Sequence, residues 1–268
     1  MIAAQHNTRI RSGFTLVELS IVLVIIGLLI GGILAAQSMI GTAKINAQVR
    51  QIQQFDAAVM GFKSKFNYLP GDIPGYRGDG NGYVTTCSST QVNDYGCEMA
   101  DFWNNLDSEK YSASVWGSGI KATYSGVGQN VPLAKLGANN SFFIASALAK
   151  TSDGYTVDTA NPSNYFAIFA GSQLQQLITG YYRLAQTTAN NSALKPIEQL
   201  ALDNKSDDGA ADSGNITSGG VSGLLGGTGG IVKSPLAACS SGATYQVSNS
   251  GYVCTPLIRI GGSAGNLQ

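Results

Sequence analysis

Between Phe14 and Leu34 a single side chain is charged, Glu18. A carboxylate in a stretch apolar enough to enter a bilayer costs roughly 2.5–3.5 kcal/mol on insertion scales. Glu18 therefore predicts a partner of opposite charge, inside a membrane or inside an assembly. Two groups of oxygen donors lie further on: Asp72, Asp79 and Asn81 in a glycine-rich turn, and Asp203, Asp207 and Asp208 in one short stretch. Calcium takes about six to eight oxygens from Asp, Asn and backbone carbonyls in flexible loops, so both groups are candidate calcium ligands. The same residues are the ordinary material of solvated turns, and the full EF-hand spacing is absent. Hydrolase chemistry has no support: the only histidine, His6, precedes the apolar run, and neither a Gly-x-Ser-x-Gly elbow nor a Walker loop appears. No catalytic set emerges, so an enzyme anchored outside the cytoplasm is the weakest reading.

Glu18 sits at the head of Leu19-Ser20-Ile21-Val22-Leu23-Val24-Ile25-Ile26-Gly27-Leu28-Leu29-Ile30. A run of ~20 apolar residues spans a bilayer. Arg9 and Arg11 precede it and should stay cytoplasmic, which places everything after about residue 36 on the far side. An ordinary secretory signal would be cut near Ala35-Ala36-Gln37, but its apolar core is shorter and carries no Glu. The pattern continues past the run. Ile45, Val49, Ile52, Phe55, Val59, Phe62 and Phe66 recur every three or four residues, one face of an amphipathic helix. The spacing predicts one helix from about Phe14 to Phe66, on the order of 80 Å long, stopped by Pro70 and Gly71.

A short leader with Arg9 and Arg11, then Gly13-Phe14-Thr15-Leu16-Val17-Glu18 and a long apolar helix, resembles the signal of type IV prepilins and type II secretion pseudopilins. The resemblance implies cleavage between Gly13 and Phe14 by a prepilin peptidase, and methylation of the new terminus at Phe14. Glu18 then matches the glutamate that pairs with the freed Phe14 amine during assembly. It also implies a fold: α+β, a long N-terminal helical spine packed on an antiparallel sheet, pilin-like. The divisions are a leader at 1–13, a membrane or filament-core helix at 14–36, an amphipathic half at 37–67 and an extracytoplasmic head at 68–268. Implied partners are the peptidase, other pilin or pseudopilin subunits and an inner-membrane assembly platform. Ala35 stands where many type IVa pilins kink at proline, and the head is large for a major subunit. Both tilt the reading toward a minor or specialised role. The order of Leu-Pro-Gly-Asp at 69–72, Phe-Trp-x-x-Leu at 102–106 and Asp-x-Lys-x-Asp-Asp-Gly at 203–209 also resembles a set of longer prepilin-like proteins.

With Arg9 and Arg11 set aside, 14 of the 16 basic side chains face 16 acidic ones, and only 12% of the chain is charged. From Pro70 onward there are 10 basic and 14 acidic residues. DNA binding wants a basic patch, so a nucleic-acid partner is disfavoured; a tip-located adhesive or substrate-binding head is the alternative to a purely structural one. Cys87, Cys97, Cys239 and Cys254 form an even set in an exported domain, which implies disulfides. Local pairing, Cys87–Cys97 and Cys239–Cys254, is expected. Phe142 to Ala145 and Tyr165 to Phe169 read as strands, Phe102 to Leu106 as a short helix, and Pro196 to Leu202 as a helix with proline near its start. Leu174 to Ala185 reads as helix or strand. The Gly/Ser-rich segment 209–230 reads as a flexible loop.

Overall fold

Asn67 ends the spine three residues ahead of the expected proline stop. Its φ is 62°, and its N–H donates to the Lys63 carbonyl at 2.8 Å. Asn tolerates this left-handed ending better than most side chains. The helix it closes, α1, runs Leu16–Phe66 without interruption. The computed structural model describes residues 13–75, 78–84, 98–106, 132–137, 141–147, 149–150, 156–157, 163–170, 192–222, 230–232 and 237–261. The chain divides into two units, Met1–Ala43 and Lys44–Gln268. In the first, the described residues are helical from Leu16 onward and their apolar side chains are exposed, Leu28 at 73% and Leu34 at 62%. By length and composition α1 can cross a membrane.

In the second unit the expected stripe is the buried one. Ile52, Phe55, Val59 and Phe62 are buried, while Ile45, Val49 and Phe66 pack at the edge of the core. Around them lie α2 (Glu98–Leu106), β1 (Phe142–Ala147), β2 (Ala149–Lys150), β3 (Thr156–Val157), β4 (Asn164–Phe169), α3 (Pro196–Ser206), β5 (Ile216–Ser222), β6 (Gly230–Val232), β7 (Ser240–Ser241), β8 (Thr244–Tyr245) and β9 (Thr255–Arg259). Five strands form one antiparallel sheet in the order β1-β4-β9-β5-β6, and β2-β3 and β7-β8 form two-stranded ribbons. The register sets Phe166 opposite Ala145 on one side and Ile258 on the other. Phe55 of α1 packs edge-on against α2 and this sheet, with ring centroids 4.9 Å from Trp103 on α2, 5.0 Å from Phe143 and 6.0 Å from Phe166. Such edge-to-face pairs contribute roughly 0.5–1.5 kcal/mol each beyond their burial.

Two polar side chains interrupt the apolar stripe and were not foreseen from its period. Gln48 is fully buried; its Oε1 accepts from Lys135 N at 2.8 Å and Leu136 N at 3.0 Å. Asp56 is buried too and accepts from Gly261 N at 3.1 Å. Both tie α1 to distant backbone that would otherwise bury an unpaired donor.

The segment expected to be a flexible loop, 209–230, needs correction. It contains β5, paired with β9 along Ile216–Ile258, Thr217–Leu257, Ser218–Pro256 and Gly219–Thr255. A Cβ at Gly219 would run into the Leu257 side chain. Glycine there marks close packing, which composition alone read as looseness. The Cys239–Cys254 disulfide is present, closing 15 residues around the β7-β8 ribbon. The pairing Cys87–Cys97 and the segment Leu174–Ala185 lie outside the described residues.

Candidate functional site

Gly13, Phe14 and Thr15 precede the helix in non-helical backbone. Phe14 is 87% exposed. The first helical hydrogen bond runs from Leu19 N to Thr15 O at 3.2 Å, so Thr15 is the N-cap. Glu18 N donates to Thr15 Oγ1 at 3.2 Å, and Thr15 N donates back to Glu18 Oε2 at 2.8 Å. The Thr15 hydroxyl also donates to Glu18 Oε2 at 2.9 Å. This reciprocal pattern is a capping box, and Thr-x-x-Glu is its sequence signature. Reading Glu18 only as a charge overlooked Thr15. The nitrogen of Phe14 is an amide and carries no charge, and Glu18 is satisfied within its own helix turn.

The first acidic group is assembled by a tight turn. Gly71, at φ 84°, brings its Cα against the Glu98 carbonyl, where a Cβ would not fit; its N–H donates to Asn105 Oδ1 at 2.8 Å. Asp72 therefore lies beside Asp79 and Glu98, with one carboxylate oxygen of each within 4.8 Å of the others. Asp72 and Glu98 are buried. Asp72 accepts from Gly80 N at 2.7 Å and Gly82 N at 2.8 Å, and Glu98 accepts from Asp79 N at 3.1 Å. Burial raises the Asp72 carboxyl above its ordinary range, against the pull of those N–H donors. Asn81 folds back instead: its Oδ1 accepts from Tyr83 N at 2.8 Å, and its amide donates to Asp79 Oδ2. Glu98, far along the chain, is the member that local spacing could not reveal.

The second group stands where the sequence put it. Asp203, Asp207 and Asp208 bring carboxylate oxygens within 4.8 Å. They sit at the end of α3, whose start carries Pro196 and whose Lys195 N donates to Glu198 Oε2 at 3.0 Å. Asp203 is fully buried. It accepts from the Tyr245 hydroxyl at 2.7 Å and from Gly209 N at 3.1 Å. Gln199 Nε2 donates to Thr217 O at 3.3 Å and to Ser218 Oγ at 3.1 Å, and Ser218 Oγ lies 3.1 Å from Cys239 Sγ. One buried polar network thus joins α3, β5, the β7-β8 ribbon and the disulfide. Burial pushes the Asp203 carboxyl up to about 6, with Asp207 and Asp208 adding repulsion. Asp207 accepts from Asn215 N and from Ile216 N, and Asp208 from Ala210 N at 2.9 Å and Ser213 Oγ at 2.7 Å. Both groups are all-oxygen sets suited to a hard cation, yet every carboxylate in them already holds a turn closed.

Residues 8–34 match the family model described as the prokaryotic N-terminal methylation motif. The match takes in Arg9, Arg11, Gly13, Phe14, Glu18 and the apolar half of α1. No curated protein and no solved structure matches the chain. The motif is a type IV prepilin-like signal, and a long N-terminal helix with an antiparallel sheet is a pilin-like organisation.

Proposed function

We propose that this chain is the precursor of a type IV pilin-like subunit, cut between Gly13 and Phe14, methylated on Phe14 and assembled into a pilus or type II secretion pseudopilus. The observation that carries the reading is the methylation motif over residues 8–34, placed on a helix whose apolar surface is exposed from Leu16 to Ile40. Hydrolysis would turn the Phe14 amide into an ammonium one helical turn from Glu18. The carboxylate then gains a cation, in its own subunit or a neighbour, that offsets the cost of burying both charges. Prepilin peptidase, fellow subunits and an inner-membrane platform are the partners this requires. The head lies on the periplasmic side until the subunit enters the filament. The size of the unit Lys44–Gln268 and the alanine at position 35 support a minor or specialised subunit.

Mass spectrometry of the mature N-terminus tests the first step: the expected terminus is N-methyl-Phe14, and a cut near Ala36 sinks the reading. Glu18→Gln tests the second. Gln keeps the capping box and removes the charge, so insertion and cleavage persist while sheared filaments lose the subunit. Undiminished incorporation of Glu18→Gln would show that charge pairing does not drive assembly.

A further inference from the structure

We propose that Thr15 is a positioning residue for leader removal: its capping box starts α1 at Leu16 and so keeps the Gly13–Phe14 peptide out of the helix, open to hydrolysis. The inference rests on the reading that this bond is the one cut.

The argument begins with where the helical ladder starts. A carbonyl in an α-helix is bonded to the N–H four residues on; for Gly13 that would be Val17. Once so bonded, the Gly13 carbonyl is turned along the helix axis and wrapped by the next turn. Cleavage needs it free, because the oxygen of water must add to the Gly13 carbonyl carbon. The C–N bond then breaks, Gly13 keeps the new carboxylate, and Phe14 leaves as an ammonium that carries both protons of that water. In the structure the ladder begins only at Thr15 O, and Gly13, Phe14 and Thr15 are non-helical. The three Thr15–Glu18 hydrogen bonds hold that start. An N-cap residue has extended backbone and cannot also be helical. While the box is made, the helix cannot grow back through Phe14 and Gly13.

The leader offers a competing start. Ser12 directly precedes Gly13, and serine is among the best N-cap residues. A helix capped by Ser12 would begin at Gly13 and take the scissile carbonyl into its ladder. The Thr15 box and a Ser12 cap therefore describe two helix starts, one open to cleavage and one closed. The cleavable fraction follows their balance, because only chains with the open start can be cut.

The test uses the full-length chain in membranes with prepilin peptidase, following leader loss over time by mass spectrometry. Thr15→Val keeps shape and branching but removes the oxygen. It is expected to shift the balance of the two starts roughly fivefold toward the closed one, the factor matching an N-cap contribution of ~1 kcal/mol, and to slow cleavage in proportion to the open population lost. Thr15→Ser keeps a hydroxyl that can both accept and donate and is expected to restore the rate. Ser12→Ala added to Thr15→Val is also expected to restore it, judged against Ser12→Ala alone, because the competing start is gone. A general loss of folding would not be repaired by a change in the leader. Thr15→Val cleaved at the unchanged rate overturns the proposal, as does a failure of Ser12→Ala to relieve the defect. A parent chain left uncut at Gly13–Phe14 overturns the functional reading instead.

Discussion

Asp203 makes the head's stability depend on pH in an unusual direction. Its carboxyl is pushed from 3.8 to about 6 by burial first, with the Tyr245 and Gly209 hydrogen bonds opposing and Asp207 and Asp208 adding to the rise. The folded state therefore holds a proton between pH ~4 and ~6 that the unfolded chain has released. Stability from this group is fully present below pH ~4 and is lost as pH rises through ~6. A shift of about two units corresponds to about 3 kcal/mol. Asp203→Asn removes the ionisation. Its carbonyl can still accept from Gly209 N. Its amide, however, meets a Tyr245 hydroxyl that Gln199 Nε2 already approaches at 3.4 Å, which costs about 1 kcal/mol. Asn is thus expected to be less stable than Asp by about 1 kcal/mol at pH 4 and more stable by about 2 kcal/mol at pH 7. At roughly 2–4 °C per kcal/mol for a domain of this size, the melting midpoints should cross, with Asn about 4–8 °C higher at pH 7. The assay is thermal unfolding of the full chain in detergent, from pH 4 to 7.5, for both proteins. Parallel profiles would refute the claim that folding buries an ionised Asp203.

Calcium gives a related test: an ion held by Asp203, Asp207 and Asp208 would supply the missing counter-charge, raise the melting midpoint at millimolar concentration, and lose that effect in Asp203→Asn. No shift would leave both acidic groups as turn-holding acceptors. Replacing Cys239 and Cys254 together by alanine opens a 15-residue loop and is expected to cost about 3 kcal/mol, read as a lower midpoint in denaturant. Non-reducing peptide mapping should find Cys87 joined to Cys97; a link from either to the C-terminal pair would contradict local pairing.

Much of the architecture was legible because it follows from period and local chemistry. The α1 stripe from Ile45 to Phe66, the aromatic strands β1 and β4 and the proline-led α3 each carry their signal within a few residues. What escaped depends on contacts made far along the chain. Gln48 and Asp56 look like solvated polar positions until Lys135, Leu136 and Gly261 arrive to donate to them. Glu98 joins Asp72 only through the Gly71 turn. β5 looks like a linker because it is rich in small residues, and the reason for Gly219, the bulk of Leu257, lies in another strand. Thr15 is the exception: the Thr-x-x-Glu signature was local, but Glu18 drew notice as a charge rather than as half of a cap.

The last described strand, β9, sits in the middle of the sheet between β4 and β5, and Gly261 just beyond it closes on Asp56 across 205 residues. A ribosome working at ~5–20 residues per second needs roughly 10–40 s to cover that distance. The apolar segment can therefore enter the lipid long before the chain that completes the sheet has been made. Until β9 threads between its neighbours, β4 and β5 are unjoined and their edges are open to the wrong partner. Premature termination shortly before Thr255 would leave the sheet split between β4 and β5, a target for proteolysis. On the proposed reading the anchor would be set before β9 joins the sheet, so export of β9 would time the closing of the head.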